Sequence, residues 1–245
     1  MELFTDIIRR VRDFVETRPE KRCWSGNPHP CWPAGGRRGI VMKEDLGIEL
    51  GSPDVESVSS LLWAGDPGEI ADGRITLIGP DFPETKEQAL PFGKVVLAGV
   101  EGFTEENTYE RHRDMDLLRY DLDLKGFMIR AVPQHQKEWC RISAGAIRSG
   151  FSARTLAAAA MGLFRALDYV RSTEVVVVTS SPADVRTLRD IVAPAARIVA
   201  AMDKMAVEID ADCESCEYQD VCSDADQLKD LRREIQRKNR EAMHA

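Results

Sequence analysis

With 245 residues, of which 43% are hydrophobic, the chain can bury one sizeable core, or a core with a small appendage. Its net charge of −8 sets the bulk field against nucleic acid and anionic membrane surfaces, which excludes a phosphate-tracking role. No apolar run approaches the roughly 20 residues that cross a bilayer, and Met1-Glu2-Leu3-Phe4-Thr5-Asp6 lacks a basic-then-apolar signal pattern, so a cytoplasmic protein without membrane insertion is expected.

The chain opens on Leu3, Phe4, Ile7, Ile8, Val11, Phe14 and Val15 at helical spacing, which predicts an amphipathic helix over residues 3 to 15 docked on the core. Residues 19 to 38 follow, with four prolines, three glycines, two tryptophans, Cys23 and Cys31, and read as an irregular loop able to carry a ligand. The regular domain is expected to begin near Gly39. Gly35-Gly36-Arg37-Arg38-Gly39 is glycine-rich and basic, but it has neither the phosphate-loop pattern nor a preceding strand and reads as a flexible loop.

Strands are predicted at Ile75 to Gly79, Lys94 to Ala98, Phe127 to Val132, Trp139 to Ser143 and Glu174 to Thr179, the last apolar enough for a doubly covered strand. Helices are predicted at Glu105 to Leu122, at Ala153 to Val170, and from Pro182 to Val192 behind a Ser-Ser-Pro start. Pro194 is expected to break that last helix before another begins near Ala195. The expected fold is α/β, a mixed sheet with packed helices and undetermined strand order, followed by a small C-terminal Cys-rich iron-sulfur segment and a helical tail. The boundaries read as 1–38, 39–208 and 209–245. In the charged tail, Leu228, Leu231 and Ile235 form a thin stripe suited to a helix that covers the cluster or the domain edge, or that meets a partner.

Six cysteines in a reducing compartment are not a disulfide framework, so spacing decides their chemistry. Cys213-Glu-Ser-Cys216-Glu-Tyr-Gln-Asp-Val-Cys222 aims two thiolates from one tight turn at a centre and returns a third from a short loop, which suits a [4Fe-4S] cube. Zinc is the alternative, although no second cysteine knuckle or nearby histidine accompanies it, and three free thiols are the bland alternative. Three cysteines leave one iron open to substrate or an exogenous ligand unless a fourth ligand comes from upstream, where Cys31 between Pro30 and Trp32 ranks first, Cys23 close behind and Cys140 third, because an isolated cysteine in a β-like run is commonly a small buried hydrophobe. The four histidines lack metalloprotease or deaminase spacing, and no G-x-S-x-G elbow supports hydrolase chemistry.

Several stretches between Gly39 and Cys222 carry a resemblance. They are Lys43-Glu44-Asp45 through Glu49-Leu50-Gly51, Asp72-Gly73-Arg74-Ile75-Thr76-Leu77-Ile78-Gly79-Pro80-Asp81, Leu90-Pro91-Phe92-Gly93, Tyr109-Glu110-Arg111, and Trp139-Cys140-Arg141-Ile142-Ser143 leading to Gly150-Phe151. In these the chain resembles the acetyl-CoA synthase family, the beta subunit of the CO dehydrogenase/acetyl-CoA synthase complex, in its middle domain, with Cys213-x-x-Cys216 where the family's cluster cysteines begin. The resemblance implies a surface for coenzyme A or acyl-CoA involving Trp139 and Arg141, with Arg111 and Arg154 at basic positions, and contacts with other subunits including a corrinoid methyl donor. Guanidinium forks suit pyrophosphate and an indole suits adenine, while the alternative leaves Trp139 in the core and the arginines as surface charge.

The family's nickel-chelating Cys-Gly-Cys has no counterpart in this sequence, which contains no Cys-x-Cys. The expectation is therefore an iron-sulfur accessory subunit of a redox or methyl/acyl-transfer complex, handling electrons or docking a corrinoid or acyl-CoA partner, with a truncated cluster motif. The alternatives are a catalytic acyl-CoA-handling fragment of acetyl-CoA synthase type and a zinc-stabilised interaction module.

Overall fold

The computed structural model describes residues 2–26, 32–36, 39–118, 120–132, 137–207, 216–224 and 226–243. The opening helix α1 (Thr5–Glu16) forms where its apolar periodicity places it, burying Ile7, Ile8, Val11, Phe14 and Val15. Residues 21–24 then form a strand inside the stretch expected to be irregular: β1 (Lys21–Trp24) pairs antiparallel with β4 (Arg74–Ile78). Its side chains are only partly covered, and the pairing supplies the order that local composition did not announce.

Nine strands are seen among the described residues, the others being β2 (Leu46–Leu50), β3 (Ser57–Ala64), β5 (Ala89–Leu90), β6 (Phe92–Val100), β7 (Phe127–Val132), β8 (Lys137–Ser143) and β9 (Val170–Val178). They make two sheets, one of five strands in the order β1-β4-β9-β6-β3 and one of four in the order β5-β2-β8-β7. The larger sheet is mixed, with β4 parallel to β9, β9 antiparallel to β6, and β6 parallel to β3. In the smaller one β8 is antiparallel to both β2 and β7, and β5 is parallel to β2. The expected α/β class with mixed sheets and packed helices is what the structure has, divided over two sheets.

The helices after α1 are α2 (Thr108–Leu118), α3 (Ala144–Arg148), α4 (Ala153–Arg165), α5 (Pro182–Val207), α6 (Gln219–Asp224) and α7 (Asp226–Met243). One face of the large sheet meets α5, where Gly93 lies against Leu188 so closely that a Cβ there would come within 2.9 Å of the leucine side chain. The opposite face holds Lys94, which reaches into the small sheet, and Trp24, over which Arg154 of α4 lies. Sheet, helices and second sheet thus enclose the core from both sides, so β3 and β6 are buried at every residue.

Helix α5 departs from expectation at Pro194, through which it runs unbroken to Val207. Proline removes one backbone donor, but its φ is helical, and the buried residues Val185, Leu188, Val192, Ala195, Ile198 and Met202 continue on one stripe across it. Burial of that stripe outweighs one lost hydrogen bond. The tail stripe behaves as its spacing predicts: Leu228 and Leu231 are fully buried and Ile235 packs on the core, with α7 lying on α5. No helix among the described residues is long and apolar enough to cross a membrane.

Candidate functional site

Strand β8 separates two chemistries by its two-residue alternation. Glu138 and Cys140 point into the interior and are fully buried, whereas Trp139 and Arg141 lie half-buried on the outer face. Arg141 is held by its neighbours: Nε donates to Glu49 Oε1 at 2.6 Å across the β2 pairing, and the guanidinium sits 5.3 Å from the centre of the Trp139 ring. Opposite it on β7 stands Met128. The result is an indole and a guanidinium side by side on a rigid strand, able to offer a stacking surface and N–H donors to an anion. Glu49 lies in a stretch that carries the family resemblance but was not expected at the site; register makes it the partner of Arg141.

Arg111 and Arg154 are placed on other elements with engagements of their own. Arg111, on α2, donates to the carbonyl oxygens of Glu101 and Gly102 at 3.2 and 2.7 Å and lies over the rings of Phe103 and Tyr169. Arg154, on α4, lies 6.0 Å from the centre of the Trp24 ring. The structure brings Trp139 and Arg141 together and leaves these two arginines on α2 and α4.

Of the cysteines, Cys31 and Cys213 lie outside the described residues. Cys216 enters a turn whose carbonyl accepts from Gln219 N, and Cys222 follows on α6 with its own N–H on Tyr218 O; both thiols are half-buried. Burial raises the Cys222 thiol above its ordinary value, and neighbouring Cys216 raises it further. This segment is fastened to α5 by Arg197–Asp220 at 2.8 Å and by Lys204, which pairs with Glu217 and lies over Tyr218. Cys216 on the turn and Cys222 on α6 are soft donors of the kind that ligate iron or zinc as thiolates. Among the described residues no group of three or more His, Cys, Asp and Glu side chains is gathered for a metal. Cys23 is exposed on β1 with Sγ 3.7 Å from Thr76 Oγ1. Cys140 is fully buried, and burial with the adjacent Glu138 carboxylate pushes its thiol well above the ordinary value, as suits a buried small hydrophobe.

Behind β8 lies a polar cluster that no sequence signal announced. Lys94 and Glu138 form an ion pair at 2.6 Å with both side chains fully buried. Ser59 Oγ donates to the other carboxylate oxygen at 2.8 Å, and Cys140 Sγ lies 3.5 Å from the oxygen that Lys94 holds. Elsewhere, an open cleft of about 810 Å³ borders α3, walled by Trp32, Ile40, Lys125, Gly145 and Arg148.

Residues 35–184, more than half of the chain, match the family model described as the CO dehydrogenase/acetyl-CoA synthase complex beta subunit. The chain belongs to this family. Two relatives carry the name acetyl-CoA decarbonylase/synthase complex subunit beta: one from Archaeoglobus fulgidus, 29% identical over 63% of this chain, and one from Methanopyrus kandleri, 30% identical over 57% of it. The alignment spans 29% of the length of each of these relatives.

The family-matched stretch contains Arg111, Trp139, Arg141 and Arg154, together with the whole Lys94–Glu138 cluster, and ends before Cys213, Cys216 and Cys222. In the large sheet it takes in β3, β4, β6 and β9, and in the small sheet all four strands.

Proposed function

We propose that this chain works as one component of a multi-protein complex of the acetyl-CoA decarbonylase/synthase kind, presenting Trp139 and Arg141 to coenzyme A or an acyl-CoA and holding a [4Fe-4S] cluster through Cys213, Cys216 and Cys222. The observation that carries this reading is the pairing of Trp139 with Arg141 on the outer face of β8, inside the stretch matched to the beta-subunit family. An indole stacks a purine, and a guanidinium already oriented by Glu49 keeps further N–H donors for phosphate oxygens. Arg111 and Arg154, engaged elsewhere, support the surrounding scaffold in this reading.

The cluster belongs to the proposal through the donor set: Cys216 and Cys222 are soft ligands on a segment anchored to α5, and Cys213 stands three residues ahead of Cys216. Such a cluster supplies one-electron transfer or fastens the C-terminal segment to the domain. Cys31 is the fourth ligand proposed, ahead of Cys23 and then Cys140, whose thiol is fully buried and raised by that burial above its ordinary value. In the complex the chain handles electrons or docks a corrinoid or acyl-CoA partner.

The test is anaerobic purification with metal and sulfide analysis, identification of co-purifying subunits, and calorimetry with coenzyme A. About four iron and four sulfide per chain are expected, and stoichiometric zinc without sulfide rejects the cluster. Absence of coenzyme A binding, to the chain alone and in its complex, rejects the ligand assignment. Separate Ser substitutions at Cys31, Cys23 and Cys140, read by the EPR of the reduced protein, assign the fourth ligand.

A further inference from the structure

We infer that the buried Lys94–Glu138 pair is a register lock for β8, positioning Trp139 and Arg141 on the outer face rather than adding net stability. The inference rests on the reading that those two residues meet the ligand. The pair is fully buried on both sides, at 2.6 Å. Removing two charges from water carries a large desolvation cost, and well-packed apolar replacements of such pairs are often as stable or more so. A cost of that kind is retained where it excludes alternatives.

The alternatives are slips of β8. A one-residue slip turns Trp139 and Arg141 inward and Glu138 outward, leaving Lys94 buried against no carboxylate. A two-residue slip keeps the faces but removes Glu138 from Lys94 and from Ser59, whose hydroxyl donates to it at 2.8 Å. Ser57 pins the same residue through the backbone: its hydroxyl donates to Glu138 O at 2.8 Å and accepts from Glu138 N at 3.2 Å. Apolar patterning selects this register only in part: Cys140 and Ile142 face in, but Glu138 faces in with them and the largest apolar side chain of the strand, Trp139, faces out. Lys94 stands on β6 and Ser57 and Ser59 on β3, so the lock ties the small sheet to the two strands buried at every residue.

The experiment compares wild type, the double variant Lys94→Met with Glu138→Leu, and the single variant Glu138→Gln. It measures thermal midpoint, peptide-resolved hydrogen exchange over residues 137–143 against 92–100, and coenzyme A affinity by calorimetry. Expected for the double variant is a midpoint at or above that of wild type, exchange about tenfold or more faster in β8 than in wild type with β6 unchanged, and coenzyme A affinity reduced by about tenfold. A double variant that melts far below wild type, with β8 and β6 exchanging in step, overturns the inference by making the pair a stability element. Unchanged exchange in β8 overturns it as well, as does wild-type coenzyme A affinity alongside fast β8 exchange. If wild type itself binds no coenzyme A, the ligand reading fails separately, and selective exchange in β8 alone supports or overturns the lock. Should the double variant not fold, Glu138→Gln decides: β8 exchange raised above that of β6 supports the lock, and parallel change overturns it.

Discussion

The two sheets of this protein use strands in opposite ways. In the large sheet β3 and β6 are buried at every residue, and β9 at every residue but one, because helices cover one face and α4 with the small sheet cover the other. In the small sheet one face is interior and the other partly open, so β8 alternates buried Glu138 and Cys140 with half-buried Trp139 and Arg141. A strand buried on both faces contributes stability and has no surface left for a ligand. A strand with one open face can carry chemistry, held in place by whatever its inner face grips.

The contrast is broken most directly by truncation on each side. Leu62→Ala, at a fully buried position of β3, is expected to lower unfolding free energy by about 2–5 kcal/mol in denaturant titrations. Trp139→Ala, at a partly covered position, is expected to cost less, about 1–2 kcal/mol in the same measurement, despite removing the larger side chain. Equal losses at the two sites would erase the distinction between the sheets.

The open face is sharpened by Arg141→Ala, which is expected to weaken coenzyme A binding by about 1.5–3 kcal/mol, the loss of a charge-assisted hydrogen bond, with calorimetry as the measurement. Unchanged affinity would remove Arg141 from the site. The variant also releases Glu49, so Glu49→Gln beside it separates loss of the donor from loss of its orientation.

The smallest effect is expected where α5 begins, just past the end of the central strand β9. Burial alone would raise the Asp184 carboxyl, but hydrogen bonds from Ser180 and Ser181 and the charge of Arg18 hold it below its ordinary value. A carboxyl lowered in the folded state stabilises at neutral pH, and the contribution disappears as pH falls through the ordinary carboxylate range and below it. Asp184→Asn is therefore expected to destabilise by about 1 kcal/mol at neutral pH, with the difference from wild type shrinking on acidification. A difference that grows in acid would reverse the assigned sign.

Much of the scaffold was legible locally. The run Val175-Val176-Val177-Val178 reads as a doubly covered strand and is one, and the α1 and α7 stripes bury the residues their spacing selects. By contrast, β3 was not legible: Ser57, Ser59 and Ser60 interrupt its apolar run, yet all three are buried, and Ser57 and Ser59 find their partners on Glu138, 81 and 79 residues away. Helix α5 overrode its proline for a similar reason, since the stripe that holds it lies against other elements rather than in the local sequence.

At the site, the sequence by itself determined the residue types that chemistry needs: an indole and a guanidinium two residues apart in a strand, and three thiols within ten residues near the C-terminus. Alternation follows from strand geometry, so Trp139 and Arg141 had to share a face once β8 formed. Which face that is, and what holds it there, was decided only by the tertiary structure. Lys94 lies 44 residues from Glu138 and Glu49 lies 92 residues from Arg141; the first pairing exists only once the two sheets come together, and the second only once β2 pairs with β8. A charge is tolerable inside the protein only beside its counter-charge, and no local sequence pattern states where that counter-charge will be.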